Sequence, residues 1–175
     1  MNLQSNDFEL FGLSLQYAQD RTELDARWKD LQRQIHPDRF AAQGATSQRL
    51  AMQWSVRVNE AYQRLKDPLR RAAYLCELNG AAVQAENNTA MPREFLLQQI
   101  SWREALDEAT CTQELEAIQA EIEALRRKSF DRCAQLLDVE HDYPQAVVEV
   151  RSLMFIERFV QDIENRFDRM DNAGS

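Results

Sequence analysis

Apolar side chains recur three and four residues apart along most of this chain. Leu24, Trp28, Leu31 and Ile35 follow this spacing, which places them on one face of an amphipathic helix. The 175 residues include only 4 Gly and 4 Pro, whereas an all-β fold needs turns at short intervals. The pattern therefore predicts an all-α fold.

The same periodicity predicts two groups of helices. Asn6 and Glu9, and again Asp20 and Glu23, have the spacing of a capping box at a helix start. Residues 81–91 have no periodicity, which predicts a linker. We expect domains at 1–80 and 92–171, the second a three-helix bundle. The predicted helices are 7–11, 21–35, 46–66, one from Pro68 to a cap at Gly80, 92–109, 112–138 and 143–169.

Charge is distributed unevenly between the two halves of the chain. Residues 1–79 hold 11 Lys/Arg against 10 Asp/Glu, a net charge of +1, and residues 80–175 hold 10 against 19, a net charge of −9. Such asymmetry suggests two domains with different partners. An acidic chain repels phosphate backbones, so we expect no nucleic-acid partner.

Neither a membrane span nor a metal site is expected. No run of about 18 apolar residues exists, and Met1–Leu13 carries no basic residue, so it does not read as a targeting segment. Cys76, Cys111 and Cys133 are widely spaced, which favours reduced thiols in a cytoplasmic protein over a zinc site. His141 is interpreted as a solvated residue at a helix start. We expect no cofactor.

The tripeptide His36-Pro37-Asp38 lies between two predicted helices. Pro37 cannot continue the first helix, and it moves His36 out of the α region. A His and an Asp on a stiff interhelical loop suggest a contact device. Two alternatives remain at this point. The pair could cap the loop without a partner, or it could serve catalysis, which would need a nearby nucleophile or metal.

Three segments carry a resemblance to a known family: LQRQIHPDRF at 31–40, VNEAYQRLKDPLRRAAYLCELNG at 58–80 and FLLQQISWREALDE at 95–108. Along essentially its whole length the chain resembles the bacterial HscB family, J-type co-chaperones of iron–sulfur cluster assembly. The resemblance implies an N-terminal J-domain, a helical hairpin with short flanking helices, followed by a C-terminal three-helix scaffold-binding domain. It implies no catalytic activity of the chain itself.

The resemblance also implies a first partner, the chaperone ATPase HscA. His36, Pro37 and Asp38 would form the contact that stimulates ATP hydrolysis, with Asp38 paired to an Arg of the chaperone. Basic residues on or just after the second helix would steer the domain to an acidic surface, or they are simply solvated charges. These residues are Arg27, Lys29, Arg33 and Arg39.

The helix from Pro92 carries more apolar residues than one core face needs. Phe95, Gln99, Trp102 and Leu106 share one side, and the remaining apolar residues either pack on a neighbour or form an exposed binding patch. The resemblance implies that this patch binds the cluster scaffold IscU. Ser101 stands where family members can carry Glu. The implied scaffold-binding residues are Leu96, Leu97, Ile100, Glu104, Glu108 and Phe155.

The expected function is therefore that of an adaptor that delivers IscU to HscA. Two alternatives from other classes stay open. One is a J-protein that uses the same loop for a different client. The other is a small metal-dependent or hydrolytic enzyme that uses His36 and Asp38.

Overall fold

All regular secondary structure in the computed structural model is helical. The structure describes residues 4–84 and 91–173, and no strand occurs within these ranges, which confirms the predicted all-α fold. A 3-10 turn at Pro37–Gln43 and a π-helical turn at Leu136–Glu140 accompany the α-helices. The α-helices are α1 (Asp7–Phe11), α2 (Arg21–Ile35), α3 (Ala45–Lys66), α4 (Pro68–Leu78), α5 (Arg93–Glu108), α6 (Thr112–Gln135) and α7 (Tyr143–Ala173).

The helix starts follow the predicted capping residues closely. At α1 the Asn6 side chain accepts the Glu9 N–H (2.9 Å) and the Glu9 carboxylate accepts the Asn6 N–H (3.2 Å), so the predicted capping box is confirmed. At α2 the Asp20 carboxylate accepts the Thr22 N–H at 2.7 Å, but Glu23 pairs with Arg27 instead of closing a second box. The local sequence therefore determines where both helices begin.

The chain divides into two compact units, Met1–Leu75 and Cys76–Ser175. The division falls within α4, whereas the sequence pattern put the end of the first domain at residue 80. Part of the predicted linker, residues 85–90, lies outside the described residues. The predicted domain boundaries therefore stay a prediction.

Helices α2 and α3 form an antiparallel hairpin in the first unit. The Trp28 indole stacks on the Tyr62 ring with centroids 4.5 Å apart. Asn59 Oδ1 accepts the indole N–H of Trp28 at 3.1 Å and an amide N–H of Gln32 at 2.6 Å. These contacts fix the register of the two helices, because one Asn side chain is bonded to two successive turns of α2.

Helix α1 is held on the hairpin by a buried carboxylate. Asp7 is fully buried, and its two oxygens lie 2.8 Å from Arg57 and 3.0 Å from Arg64 on α3. Its backbone N–H donates to the Tyr74 hydroxyl at 3.1 Å, and Phe8 stacks on the Tyr74 ring. A buried carboxylate needs such partners, since an unpaired charge inside a protein is strongly destabilising.

The second unit is built around a core shared by α5, α6 and α7. Residues 81–84, predicted as linker, also pack here, since Val83 is buried and its carbonyl accepts from Arg151 on α7 at 2.8 Å. Half-buried aromatic side chains, Phe95, Phe155 and Phe167 among them, pack against the core. The buried core consists of Trp102, Leu106, Ala109, Leu115, Ile122, Ile156, Phe159 and Ile163.

The connection from α6 to α7 differs from the prediction of one helix over 112–138. The regular helix ends at Gln135, and the π-helical turn continues to Glu140. Arg132 donates to the Glu140 carboxylate at 2.5 Å, which closes this turn across the helix end. His141 then adopts a left-handed conformation with φ 53°. It is exposed, as expected for a solvated residue at a helix start, and α7 runs to Ala173, four residues past its predicted end.

Candidate protein-binding sites

The His-Pro-Asp turn follows directly from the end of α2. His36 has φ −59° and ψ 126°, the extended conformation that a following proline favours. The Asp38 N–H donates to His36 Nδ1 at 3.3 Å, and the Asp38 carboxylate lies 3.6 Å from the same nitrogen. The side chains of His36 and Asp38 are 56% and 88% exposed. The turn is thus ordered by local bonds while its two polar side chains face solvent.

The four basic residues predicted beside the turn have different local roles. Arg27 donates to the carbonyl oxygens of Phe11 and Gly12 at 2.7 and 2.6 Å, which satisfies the C-terminal end of α1. Arg39 donates to the Arg33 carbonyl oxygen at 3.0 Å and ties the turn to α2. Lys29 and Arg33 are exposed. Arg27 and Arg39 therefore have structural contacts as well as positive charge.

An apolar groove of about 500 Å³ lies beside the turn. Ile35, Phe40 and Trp54 line it, and Leu50 at its edge is 48% exposed. Leu50 shares a helix face with the buried Val58 eight residues later, so helical spacing alone would put it in the core. The first turns of α3 lie beside the 3-10 turn, so the groove replaces close packing there.

The exposed apolar residues predicted on α5 form a continuous stripe. Leu96, Leu97 and Ile100 are 40%, 56% and 56% exposed. On the opposite face of α5, Trp102 and Leu106 are buried in the core. Of the two alternatives left open by the sequence, packing on a neighbour therefore does not apply to these three side chains, and an exposed patch does.

Two predicted carboxylates extend this row toward the end of α5. Glu104 and Glu108 are exposed, and they follow Ile100 at intervals of four residues, which puts them on the same side of the helix. Ser101 is exposed beside them. We call the row of Leu96, Leu97, Ile100, Glu104 and Glu108 the α5 stripe. Asp107, which the sequence reasoning missed, lies on the same face because it follows Ile100 by seven residues.

Phe155 occupies a different position from the other predicted scaffold-binding residues. It lies on α7, half-buried, with its ring centroid 5.8 Å from that of Phe95 and 6.4 Å from that of Trp102. Both of these partners lie on the inner face of α5. Phe155 therefore packs against the inner face of α5, and only the exposed part of its ring is open to a partner.

A polar cleft of about 670 Å³ opens between α5, α6 and α7. Phe95, Ser129 and Glu149 are among its lining residues. Burial raises the pKa of the Glu149 carboxyl above its usual value, and a hydrogen bond from Ser129 acts in the opposite direction. The cleft shows that the N-terminal half of α5 is not closely packed on its inner side.

The cysteines are free thiols, and Cys76 and Cys133 are buried. Burial raises the pKa of Cys76 to about 11 and that of Cys133 to about 12, so both stay protonated at neutral pH. Within residues 4–84 and 91–173, no group of three or more His, Cys, Asp or Glu side chains is arranged to hold a metal ion. No helix in the described part of the chain has the length and apolar character needed to cross a membrane.

The chain is similar to proteins of one family along nearly its whole length. The family model described as the HSCB C-terminal oligomerisation domain matches residues 91–164. The co-chaperone protein HscB homolog of Paraburkholderia xenovorans (strain LB400) is 46% identical over 175 residues, which covers 98% of this chain and 99% of the relative.

Solved structures agree with this similarity. Chaperone HscB from Vibrio cholerae superposes with a TM-score of 0.82 at 32% identity, covering 95% of this chain and 99% of that one. The human co-chaperone protein HscB shares the fold, with a TM-score of 0.89 at 24% identity over 95% of this chain and 84% of that one. The resemblance seen in the sequence is confirmed, and the chain belongs to the HscB family of co-chaperones.

Proposed function

We propose that this protein is a J-type co-chaperone of iron–sulfur cluster assembly that connects two partners. It presents His36-Pro37-Asp38 to the chaperone HscA and stimulates ATP hydrolysis there. It binds the scaffold protein IscU through the α5 stripe and delivers it to the chaperone. The protein acts in the cytoplasm and catalyses no reaction itself. The observation that carries the proposal is the exposure of Leu96, Leu97 and Ile100 on a helix whose other face is buried.

The His-Pro-Asp turn supports the chaperone contact through its order and its exposure. The Asp38 side chain is 88% exposed, so its carboxylate is open to an Arg of the chaperone in a charge-assisted hydrogen bond. Pro37 and the bond between Asp38 N–H and His36 Nδ1 restrict the turn before binding, which reduces the entropy lost on docking. Lys29 and Arg33, both exposed on α2, add positive charge that steers the encounter.

The α5 stripe supports the scaffold contact through apolar area. Leu97 and Ile100 are each 56% exposed and Leu96 is 40% exposed. Covering such partly exposed side chains contributes on the order of 1 kcal/mol each. Three of them together suffice for a small binding centre, and exposed carboxylates at its edge favour a partner with basic residues.

The two surfaces lie in different compact units of the chain, so one molecule can bind both partners. Holding the scaffold on the co-chaperone raises its effective concentration at the chaperone. The J-domain then stimulates ATP hydrolysis by the chaperone while the scaffold is present. This coupling is what a separate J-domain and a separate scaffold-binding domain would lack.

The test is the ATPase rate of HscA alone, with this protein, with IscU, and with both. We expect the increase in the ATPase rate with both proteins to exceed the sum of the increases that each produces alone. An increase no larger than that sum would contradict delivery of the scaffold. Failure of the wild-type protein to bind IscU, with ATPase stimulation retained, would indicate a J-protein for a different client.

A second copy of this chain is the competing occupant of the α5 stripe. The family model that covers residues 91–164 is described as an oligomerisation domain, which supports self-association through this region. Light scattering on the wild type and on Leu96→Ala/Leu97→Ala separates the two occupants. A dimer that becomes a monomer in this variant favours self-association, and a monomer in both favours the scaffold.

A further inference from the structure

Beside the acidic end of the α5 stripe lies a carboxylate that no motif assigns. Asp107 is exposed, three residues after Glu104 and one before Glu108. Positions three, four and seven residues apart share a helix face, so Asp107 continues the row that begins at Leu96. The distance along the helix from Ile100 to Asp107 is about 10 Å at 1.5 Å per residue, well within one protein interface.

The three carboxylates of this end have no cationic partner in the described part of the chain. Glu104, Asp107 and Glu108 take part in none of its ion pairs, and like charges three and four residues apart on a helix repel one another. No described Lys or Arg side chain therefore neutralises them by an ion pair. A Lys or Arg side chain brought by a partner would relieve this repulsion.

The nearest cation on the helix is turned away from them. Arg103 precedes Asp107 by four residues, a spacing that permits an ion pair. Its Nη1 atom instead lies 2.7 Å from Asp162 on α7, and its guanidinium group lies 5.5 Å from the centre of the Phe159 ring. Arg103 is the cation of α5 with the right spacing to neutralise Asp107. Because it pairs with Asp162 instead, Asp107 is left without an ion-pair partner on its own helix.

We infer that Asp107 is a specificity-determining residue of the α5 stripe, where with Glu104 and Glu108 it binds basic side chains of the partner. The partner surface is an apolar patch with Lys or Arg within about 10 Å of it, the length of the matching segment of α5. Arg103 and Asp162 are positioning residues, since their ion pair keeps Asp107 available. This inference rests on the proposed function, because it takes the scaffold as the occupant of the stripe.

The test compares Asp107→Asn with Asp131→Asn in the full-length protein, with IscU as the probe. Asp131 is an exposed carboxylate on α6 that forms no ion pair with a described residue, and it lies off the stripe. We expect Asp107→Asn to weaken the scaffold affinity roughly fivefold at low salt and to make its salt dependence shallower. Asp131→Asn should leave both unchanged.

Asp162→Asn tests the positioning role of the ion pair. The released Arg103 can reach Asp107, so this substitution should weaken scaffold binding in the wild-type background. In the Asp107→Asn background it should have no further effect, and this non-additivity is not expected of a merely structural change. Equal weakening in both backgrounds would overturn the positioning role.

The remaining outcomes separate this inference from the proposed function. An affinity unchanged by Asp107→Asn, together with a large loss in Leu96→Ala/Leu97→Ala, overturns the role of Asp107 and leaves the scaffold site intact. No scaffold binding by the wild type overturns both. Equal weakening by Asp107→Asn and Asp131→Asn shows a diffuse effect of net charge and also overturns the inference.

Discussion

The His-Pro-Asp turn and the α5 stripe are both exposed, but different interactions hold them in place. The turn is ordered by bonds within a few residues, from Asp38 N–H to His36 Nδ1 and from Arg39 to the Arg33 carbonyl oxygen. The stripe is exposed because the inner face of α5 packs on distant residues such as Phe155. The first surface therefore depends on local sequence, and the second depends on how a bundle is packed.

The largest expected effect is at the turn. His36→Gln removes the imidazole and Asp38→Asn removes the negative charge. Under the proposed function the chaperone contacts both groups, so either substitution should abolish stimulation of the HscA ATPase. Scaffold affinity and melting temperature should change little, since both side chains are more than half exposed and surface substitutions usually alter stability by less than about 0.5 kcal/mol. ATPase assays and thermal melts measure the two quantities.

The other histidine of the chain is the matched control for this experiment. His141 is exposed in the second unit, and His141→Asn suits its positive φ because Asn adopts that conformation readily. It should leave ATPase stimulation intact. A large drop in melting temperature for the His36 or Asp38 variant would contradict this, because it would show that the turn contributes to folding.

A smaller but still large effect is expected on the α5 stripe. Leu96→Ala/Leu97→Ala should weaken IscU binding roughly thirtyfold, because burial of the two side chains contributes about 2 kcal/mol to the complex. Stimulation of the chaperone without scaffold should persist, because the turn is untouched. Calorimetric titration with IscU measures the affinity.

Val139→Ala is the matched control, because Val139 is 64% exposed in the same unit but lies outside α5. It should bind IscU like the wild type. Equal weakening by both variants would mean that general surface apolarity, rather than the stripe, determines scaffold binding.

The smallest expected effect concerns the packing beneath α5. Because burial raises the pKa of Glu149 in the folded protein, the unfolded chain ionises first as pH rises. As pH rises from the ordinary pKa of Glu149 to its higher folded-state pKa, the free energy of unfolding therefore falls. The full loss is present above the folded-state pKa, and no loss is present below the ordinary pKa. Glu149→Gln should raise the melting temperature at pH 7 and change it much less near pH 4.

Glu116→Gln, at an exposed carboxylate on the same helix bundle, should leave the melting temperature unchanged at both pH values. An equal rise at pH 4 and pH 7 for Glu149→Gln would show that better packing, rather than loss of a desolvated charge, is responsible. The comparison of the two pH values therefore separates an effect of packing in the cleft from an effect of the buried charge.

Much of the architecture follows from short-range patterns. The Asn6 cap and the turn at Pro37 lie where spacing and proline chemistry put them. The end of α6 differs from the predicted one, since the regular helix stops at Gln135 and a π-helical turn continues to Glu140. The exposure of Leu50 does not follow from the sequence either, because periodicity assigns a helix face but cannot show that a groove lies opposite it.

For the candidate sites, the sequence by itself determined the His-Pro-Asp turn, the all-α fold and the family, because these depend on local backbone chemistry and on motif order. Only the tertiary structure decided that Leu96, Leu97 and Ile100 face solvent and that Phe155 lies beneath α5. It also decided that Arg103 pairs with Asp162 and not with Asp107. A helical repeat specifies which side chains share a face, but the neighbouring helices decide which face is covered and which charges are paired.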